Sequence, residues 1–272
     1  MNNLHRKLAP ISDAAWEQIE EETTRTIKGY LAGRRVVDVP TPGGIAFPGV
    51  ATGHLVPTAP PAEGITASSH EVKPLVELRV PFELSRQAID DVERGAKDSN
   101  WQPAKDAAKT LAFAEDRAIF DGYQAANIQG IRESTSNPIK TLPEDVRNYP
   151  DAIAEALNQL RLAGVGGPYS VLLGAVEYTG LAETRDNGYP VLEHVRRIID
   201  GDIVLAQAIR GAFVLTTRGG DFELNIGQDV SIGYLSHTDT IVRLYLQETF
   251  TFRVLTSEAS VALSPWSKRP GK

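Results

Sequence analysis

Arg218–Val254 reads RGGDFELNIGQDVSIGYLSHTDTIVRLYLQETFTFRV, the most regular pattern in the chain. From Ile241 onward, Val242, Leu244, Leu246, Phe250, Phe252 and Val254 fall on one side of an extended backbone. Arg243, Tyr245, Gln247, Thr249, Thr251 and Arg253 fall on the other. Strict alternation of this kind predicts a long half-buried strand. Phe222, Leu224 and Ile226 alternate in the same way, Gly227 interrupts, and Val230, Ile232 and Tyr234 resume, so antiparallel pairing across a turn at 235–240 is expected. RGGD at 218–221 reads as a tight turn. Glu248 is the anomaly, a carboxylate on the apolar face: either it meets a backbone or arginine partner, or it belongs to a buried subunit contact.

With 272 residues, 42% of them hydrophobic, the chain is large enough for one sizeable domain or two joined ones. Cysteine is absent, which removes disulfides, thiolate metal sites and a cysteine nucleophile. MNNLHRKLAP lacks the apolar segment of an export signal, and no run approaches the roughly 18 apolar residues of a membrane span. A cytoplasmic protein without a membrane partner is expected. The net charge of -7 and the interspersed signs leave no basic footprint for nucleic acid.

Ser12 is a natural N-cap for a helix from about Asp13 to Ala32, with Gly33 as its stop. Trp16, Ile19, Thr23, Ile27, Tyr30 and Leu31 form its apolar stripe. GRRVVDVP after it reads as a short strand. Residues 41–74, rich in Pro, Gly, Ala and Ser, are too long for an ordinary connection: they form a functional loop, a disordered one, or a two-stranded arm that touches a neighbouring molecule. LVELRVPFEL at 75–84 restores strand alternation, which favours the arm. A short helix follows Ser85, and an alanine-rich helix from about Pro103 to Ala126 suits close packing on a sheet. From about 142 to 208 helix and strand alternate, as in a smaller α/β lobe, and Phe213–Thr217 is expected to return to the first sheet.

Catalytic chemistry is hard to find. The five histidines have no metal-ligand spacing, no G-x-S-x-G elbow occurs, and GVGG at 164–167 lacks the lysine of a phosphate loop. No catalytic residue and no metal ligand is assigned.

The order of NNLHRKLAPISDAAW, GRRVVDV, DDVERG, FAEDRAIFDGY, GPYSVLL, GYP, TRGGDF, GQDVSIGY and RLYLQETFTF resembles the encapsulin family, also called linocin-type bacteriocins, from Met1 to about Leu263 and most closely its actinobacterial members. The resemblance implies an α+β fold like that of tailed-bacteriophage major capsid proteins. It also implies self-assembly into a closed icosahedral nanocompartment around a cargo enzyme, a dye-decolourising peroxidase or a ferritin-like iron protein, in oxidative-stress defence or iron storage. On that pattern residues 1–40, 75–130 and 215–272 form the peripheral domain, 41–74 the extended loop and 131–214 the axial domain. A C-terminal targeting peptide of the cargo would dock on the inner wall against Ile27, Tyr30, Leu31, Arg34, Asp38, Asp229, Val230, Ile232 and Tyr234. Thr184, Arg185, Asp186, Asn187, Gly188, Tyr189 and Pro190 would line the five-fold pore, or else form a hinge held by the flanking helices. Some members stack a flavin on a tryptophan in the short helix before the ERG motif; Gln87 stands there here, so no flavin cofactor is expected. The family's older labels, peptidase and secreted bacteriocin, would need a nucleophile with a base beside it or an export signal.

Overall fold

The computed structural model describes residues 3–267. In chain order it contains α1 (Asp13–Tyr30), β1 (Gly49–Thr58), β2 (Ala67–Pro74), β3 (Val76–Ser85), α2 (Arg86–Glu93), α3 (Gln102–Phe120) and α4 (Ile131–Ser134). Then come β4 (Lys140–Thr141), α5 (Tyr149–Leu162), β5 (Tyr169–Leu173), α6 (Ala175–Glu183), β6 (Arg185–Asp186), β7 (Tyr189–Pro190), α7 (Val191–Ile198) and β8 (Ile203–Leu205). The chain closes with β9 (Ala212–Thr216), β10 (Phe222–Ile226), β11 (Ser231–His237), β12 (Ile241–Val254) and β13 (Ser260–Ser264). Helices and strands are both present and largely segregated, an α+β architecture.

β12 organises the first sheet. Its first half pairs with β11 (Tyr234 opposite Leu244), its second half with β10 (Phe222 opposite Val254), and its other edge with the whole of β3, from Ile241 opposite Ser85 to Phe250 opposite Val76. A strand so enclosed is not half-buried. Tyr245, Gln247 and Thr251 on the expected polar side are buried along with Leu244, Leu246 and Phe250. The N-terminal segment covers that side: the Tyr245 hydroxyl donates to the Asn3 carbonyl at 3.3 Å, while Asn3 Nδ2 and Gln247 Nε2 both donate to Gln228 Oε1 at 3.0 Å. Alternation marks which residues share a face; it does not reveal what a distant segment lays over that face.

α1, α2 and the first half of α3 pack on the opposite face, where Ile19, Ile89 and Leu111 meet Leu84, Val242 and Leu244. The Ser12 hydroxyl accepts from Ala15 N at 3.3 Å, so the expected cap is formed. Further along α3, Ile119 and Phe120 pack with Phe222, Phe250 and Phe252 and also with Phe213 of β9, so this one helix bridges the two sheets. Each such phenylalanine contributes about 1.5–3 kcal/mol by leaving water.

The second sheet runs β4-β13-β9-β5-β8 and carries α5, α6 and α7 through Ile153, Leu157, Val171, Leu181 and Val195. β9 therefore does not return to the first sheet as its place in the chain suggested. It pairs with β5 (Leu172 opposite Phe213) and with β13 (Val261 opposite Val214). The 215–267 stretch is thus shared, with β10 to β12 in one sheet and β13 in the other.

One further expectation changes. GRRVVDV is not a strand: Gly33–Arg35 is a 3-10 turn, and only Asp38 touches a strand, by a single bridge to Glu223. The cause is at Gly33, whose N–H donates to Asp116 Oδ1 at 2.8 Å and whose added Cβ would lie 2.5 Å from Ile119 Cδ1. In 41–74 the favoured two-stranded arm is found: among the described residues the hairpin β1–β2 pairs only with itself, with Leu55, Val56 and Val72 exposed.

Candidate peptide-binding groove

α1 presents Thr23, Ile27 and Leu31 along one edge, one helical turn apart. Opposite it, the β10–β11 turn and the start of β11 present Asp229, Val230 and Ile232. Between them lies a groove of about 630 Å³, whose walls also include Arg6, Lys28, Arg34 and Arg35. Of the residues expected to bind a peptide, Ile27, Leu31, Arg34, Asp229, Val230 and Ile232 are brought together on its surface. Tyr30 and Tyr234 stand just outside it. The Tyr30 ring meets Phe113 edge-on at 5.6 Å and the Tyr234 hydroxyl bonds His237 Nδ1 at 2.6 Å.

Asp38 is elsewhere. Its carboxylate accepts from Gly220 N at 2.6 Å and its backbone pairs with Phe222 and Leu224, so it fastens the RGGD turn instead of facing the groove. That turn is closed by Arg218 on Asp221 at 2.9 Å, with Gly219 and Gly220 at positive φ.

Arg34 is the electrostatic centre. Its Nε donates to Glu115 Oε1 at 3.0 Å and its Nη2 to Glu115 Oε2 at 2.6 Å; Nη2 also donates to Glu248, and Nη1 to Asp229 at 2.9 Å. Burial opposes its charge, but Glu115, Glu248 and Asp229 together more than offset that and raise its pKa. Glu248 has found the arginine partner expected for it.

Glu115 and Asp116 were not singled out in the sequence. They lie on the buried side of α3, in register with Leu111 and Ala112, and two adjacent acids inside an alanine-rich face are the signal that could have found them. Asp116 accepts from Ala32 N at 3.0 Å and Gly33 N at 2.8 Å. Burial nonetheless outweighs those bonds and pushes its carboxyl up to about 7. Between about pH 4 and this value the native state keeps a proton that the unfolded chain has released, so stability falls as pH rises across that window, by roughly 1.4 kcal/mol per unit. Asp116→Asn is expected to remove this slope while costing one backbone hydrogen bond. Its melting temperature, followed by scanning fluorimetry, is expected to lie below that of the wild type near pH 4 and to rise above it before about pH 7.

The 184–190 segment is a two-residue ladder, Arg185 opposite Pro190 and Asp186 opposite Tyr189, turned by Asn187 and Gly188 at positive φ. It is tied to α7 by Arg197 Nη2 donating to the Tyr189 hydroxyl at 2.7 Å. Trp101 is buried, its Nε1 donating to Gln18 Oε1 at 3.3 Å, and Gln87 lies in α2. No helix among the described residues is long and apolar enough to cross a membrane.

The family described as "Encapsulating protein for peroxidase" matches residues 1–251. The chain is 62% identical to the type 1 encapsulin shell protein of Mycobacterium tuberculosis, over 97% of its own length and the whole of the relative. It belongs to the encapsulin family. The type 1 encapsulin shell protein of Rhodococcus erythropolis is 61% identical over the same shares. The encapsulin fold is that of phage capsids: a virus-like particle from Pyrococcus furiosus superposes with a TM-score of 0.64 at 17% identity, over 92% of this chain and 99% of that one. The capsid of Myoviridae phage XM1 gives 0.55 at 13% identity, over 87% and 92%. The chain is thereby an encapsulin with a capsid fold.

Proposed function

We propose that this encapsulin subunit assembles with copies of itself into a closed icosahedral nanocompartment in the cytoplasm and captures a cargo enzyme by that enzyme's C-terminal peptide. The observation that carries the reading is the groove, in which three segments far apart in the chain supply an apolar floor and a fixed charge. An extended peptide places alternate side chains against Ile27, Leu31, Val230 and Ile232, and the polar residues around them set its register. The family's description supports a peroxidase as cargo, with a ferritin-like iron protein as the other candidate. In this reading residues 1–40, 75–130 and 215–272 make the peripheral domain, 41–74 the extended loop and 131–214 the axial domain, whose 184–190 hairpin rings the five-fold pore and tunes the passage of ions and small substrates through Arg185 and Asp186.

Val230 is half-buried and faces the groove, so Val230→Asp spares the core while placing a charge where an apolar side chain of the peptide must lie. Co-expression with a peroxidase carrying its native C-terminal tail is expected to give intact shells with cargo loading reduced by about tenfold or more. Undiminished loading of that variant contradicts the groove as the docking site.

A further inference from the structure

The Arg34 wall of the groove rests on more carboxylates than its one guanidinium can neutralise. Arg34 projects from the turn after α1 and binds Glu115 of α3, Glu248 of β12 and Asp229 of the β10–β11 turn at once. The two glutamates are 0% and 1% exposed and Asp229 is half exposed, so water can compensate only the last. Asp116, next along α3, is occupied by the Ala32 and Gly33 N–H groups. Arg35 is turned toward Asp202 at 3.6 Å, and Lys28 is exposed. No second cation among the described residues is paired with either glutamate, and two ionised carboxylates on one buried guanidinium would leave a net negative charge out of water.

We propose that Glu248 is a positioning residue that holds a proton behind Arg34 and beside Glu115, a latch that keeps the Arg34 wall of the groove closed near neutral pH and lets it open as the medium turns alkaline. The proton has an evident seat: Oε1 of Glu248 accepts from Arg34, while Oε2 is buried with no hydrogen-bond partner among the described residues. Burial first, and the facing charge of Glu115 second, hold the Glu248 carboxyl well above the usual carboxylate range, against the pull of Arg34. When that proton leaves, the pair carries one charge more than Arg34 can balance. The new charge is relieved only by hydration, and the element that must part from β12 and α3 to admit water is the short turn that bears Arg34, against the hydrogen bonds of Ala32 and Gly33 to Asp116. Opening it removes one wall of the groove.

The consequence for cargo rests on the peptide reading above, but the latch has a readout that needs no ligand. Hydrogen–deuterium exchange on assembled shells, corrected for intrinsic exchange, is followed at residues 31–36 from about pH 7.5 to about pH 9, beyond the titration at about 7 of Asp116, which bonds Ala32 and Gly33. Wild-type protection is expected to fall by up to about tenfold per pH unit as pH rises towards the titration of the closed state, where opening releases one proton, and to level off above it. Glu248→Gln places an amide where the protonated acid stood and is expected to hold protection level across the range, and Glu115→Gln to do the same from the other partner. The peptide reading is tested separately, by the cargo loading of Val230→Asp, so either idea can fail without the other. A wild-type profile flat to about pH 9, or a slope retained in both glutamine variants, overturns the latch.

Discussion

Arg34→Ala is expected to yield subunits that fail to assemble at neutral pH. The substitution does not simply delete a contact; it leaves Glu115 and Glu248, 0% and 1% exposed, without their cation. Breaking a buried pair in this way costs about 3–5 kcal/mol, a large share of the roughly 5–15 kcal/mol that holds a typical domain folded. The loss has a signature. Because both glutamates can be neutralised by protons, the variant recovers as pH falls below neutral, and size-exclusion chromatography with light scattering across that range follows the recovery as a rise in shell mass. Combining Arg34→Met with Glu115→Gln and Glu248→Gln removes the charges together and is expected to restore the shell at neutral pH without restoring cargo loading. Arg34→Ala shells that form and melt like the wild type at neutral pH would show that the guanidinium is not holding the glutamates. A loading assay on Arg34→Ala alone would confuse a lost anchor with a lost fold, which is why Val230 is the cleaner probe of the groove.

Removing the arm is expected to have the larger effect on assembly and a small one on folding. Among the described residues β1 and β2 pair with each other and with no other strand, and an isolated two-stranded ribbon is marginal in water. Leu55, Val56 and Val72 are exposed on it, an apolar surface that a neighbouring subunit can cover. Its root is anchored separately, by Gly43 N on Ile226 O at 2.9 Å, Gly44 N on Gly227 O at 2.8 Å and Leu75 N on Pro48 O at 3.0 Å. Gly49 and Pro74 are register partners, so excising the residues between them and closing the gap with a short Gly/Ser link disturbs no part of either sheet. The expected product is a folded, soluble monomer with a cooperative melt and no particle peak. Closed shells from the shortened chain would mean that the arm does not join subunits.

The two halves of this account differ in how far the sequence carried them. Period-2 alternation identified β12, β11, β10 and β3, and capping at Ser12 placed α1, because these signals are local. The placement of β9 and β13 was not legible, since a run such as Phe213–Thr217 fits the edge of either sheet and only packing against Phe120 and β5 decides. Val36 and Val37 suggested a strand because nothing nearby reveals that Asp116, 83 residues from Gly33, pins the turn. For the groove, Ile27, Leu31, Val230 and Ile232 were found on the family pattern, and Asp38 was grouped with them on the same pattern, through the GRRVVDV motif it shares with Arg34. Glu248 was visible as an anomaly, but its partner is 214 residues away and no periodicity spans that distance. Buried ionic clusters assembled from α3, β12 and a turn become readable once the sheet registers are known.

The central claim is that this chain closes on itself into a shell around what its groove captures. Electron microscopy of the purified particle, with mass spectrometry of what co-purifies, tests it most directly. The account predicts uniform hollow particles of icosahedral symmetry, carrying a second protein when the cargo is co-expressed. A monodisperse monomer at high protein concentration would contradict it.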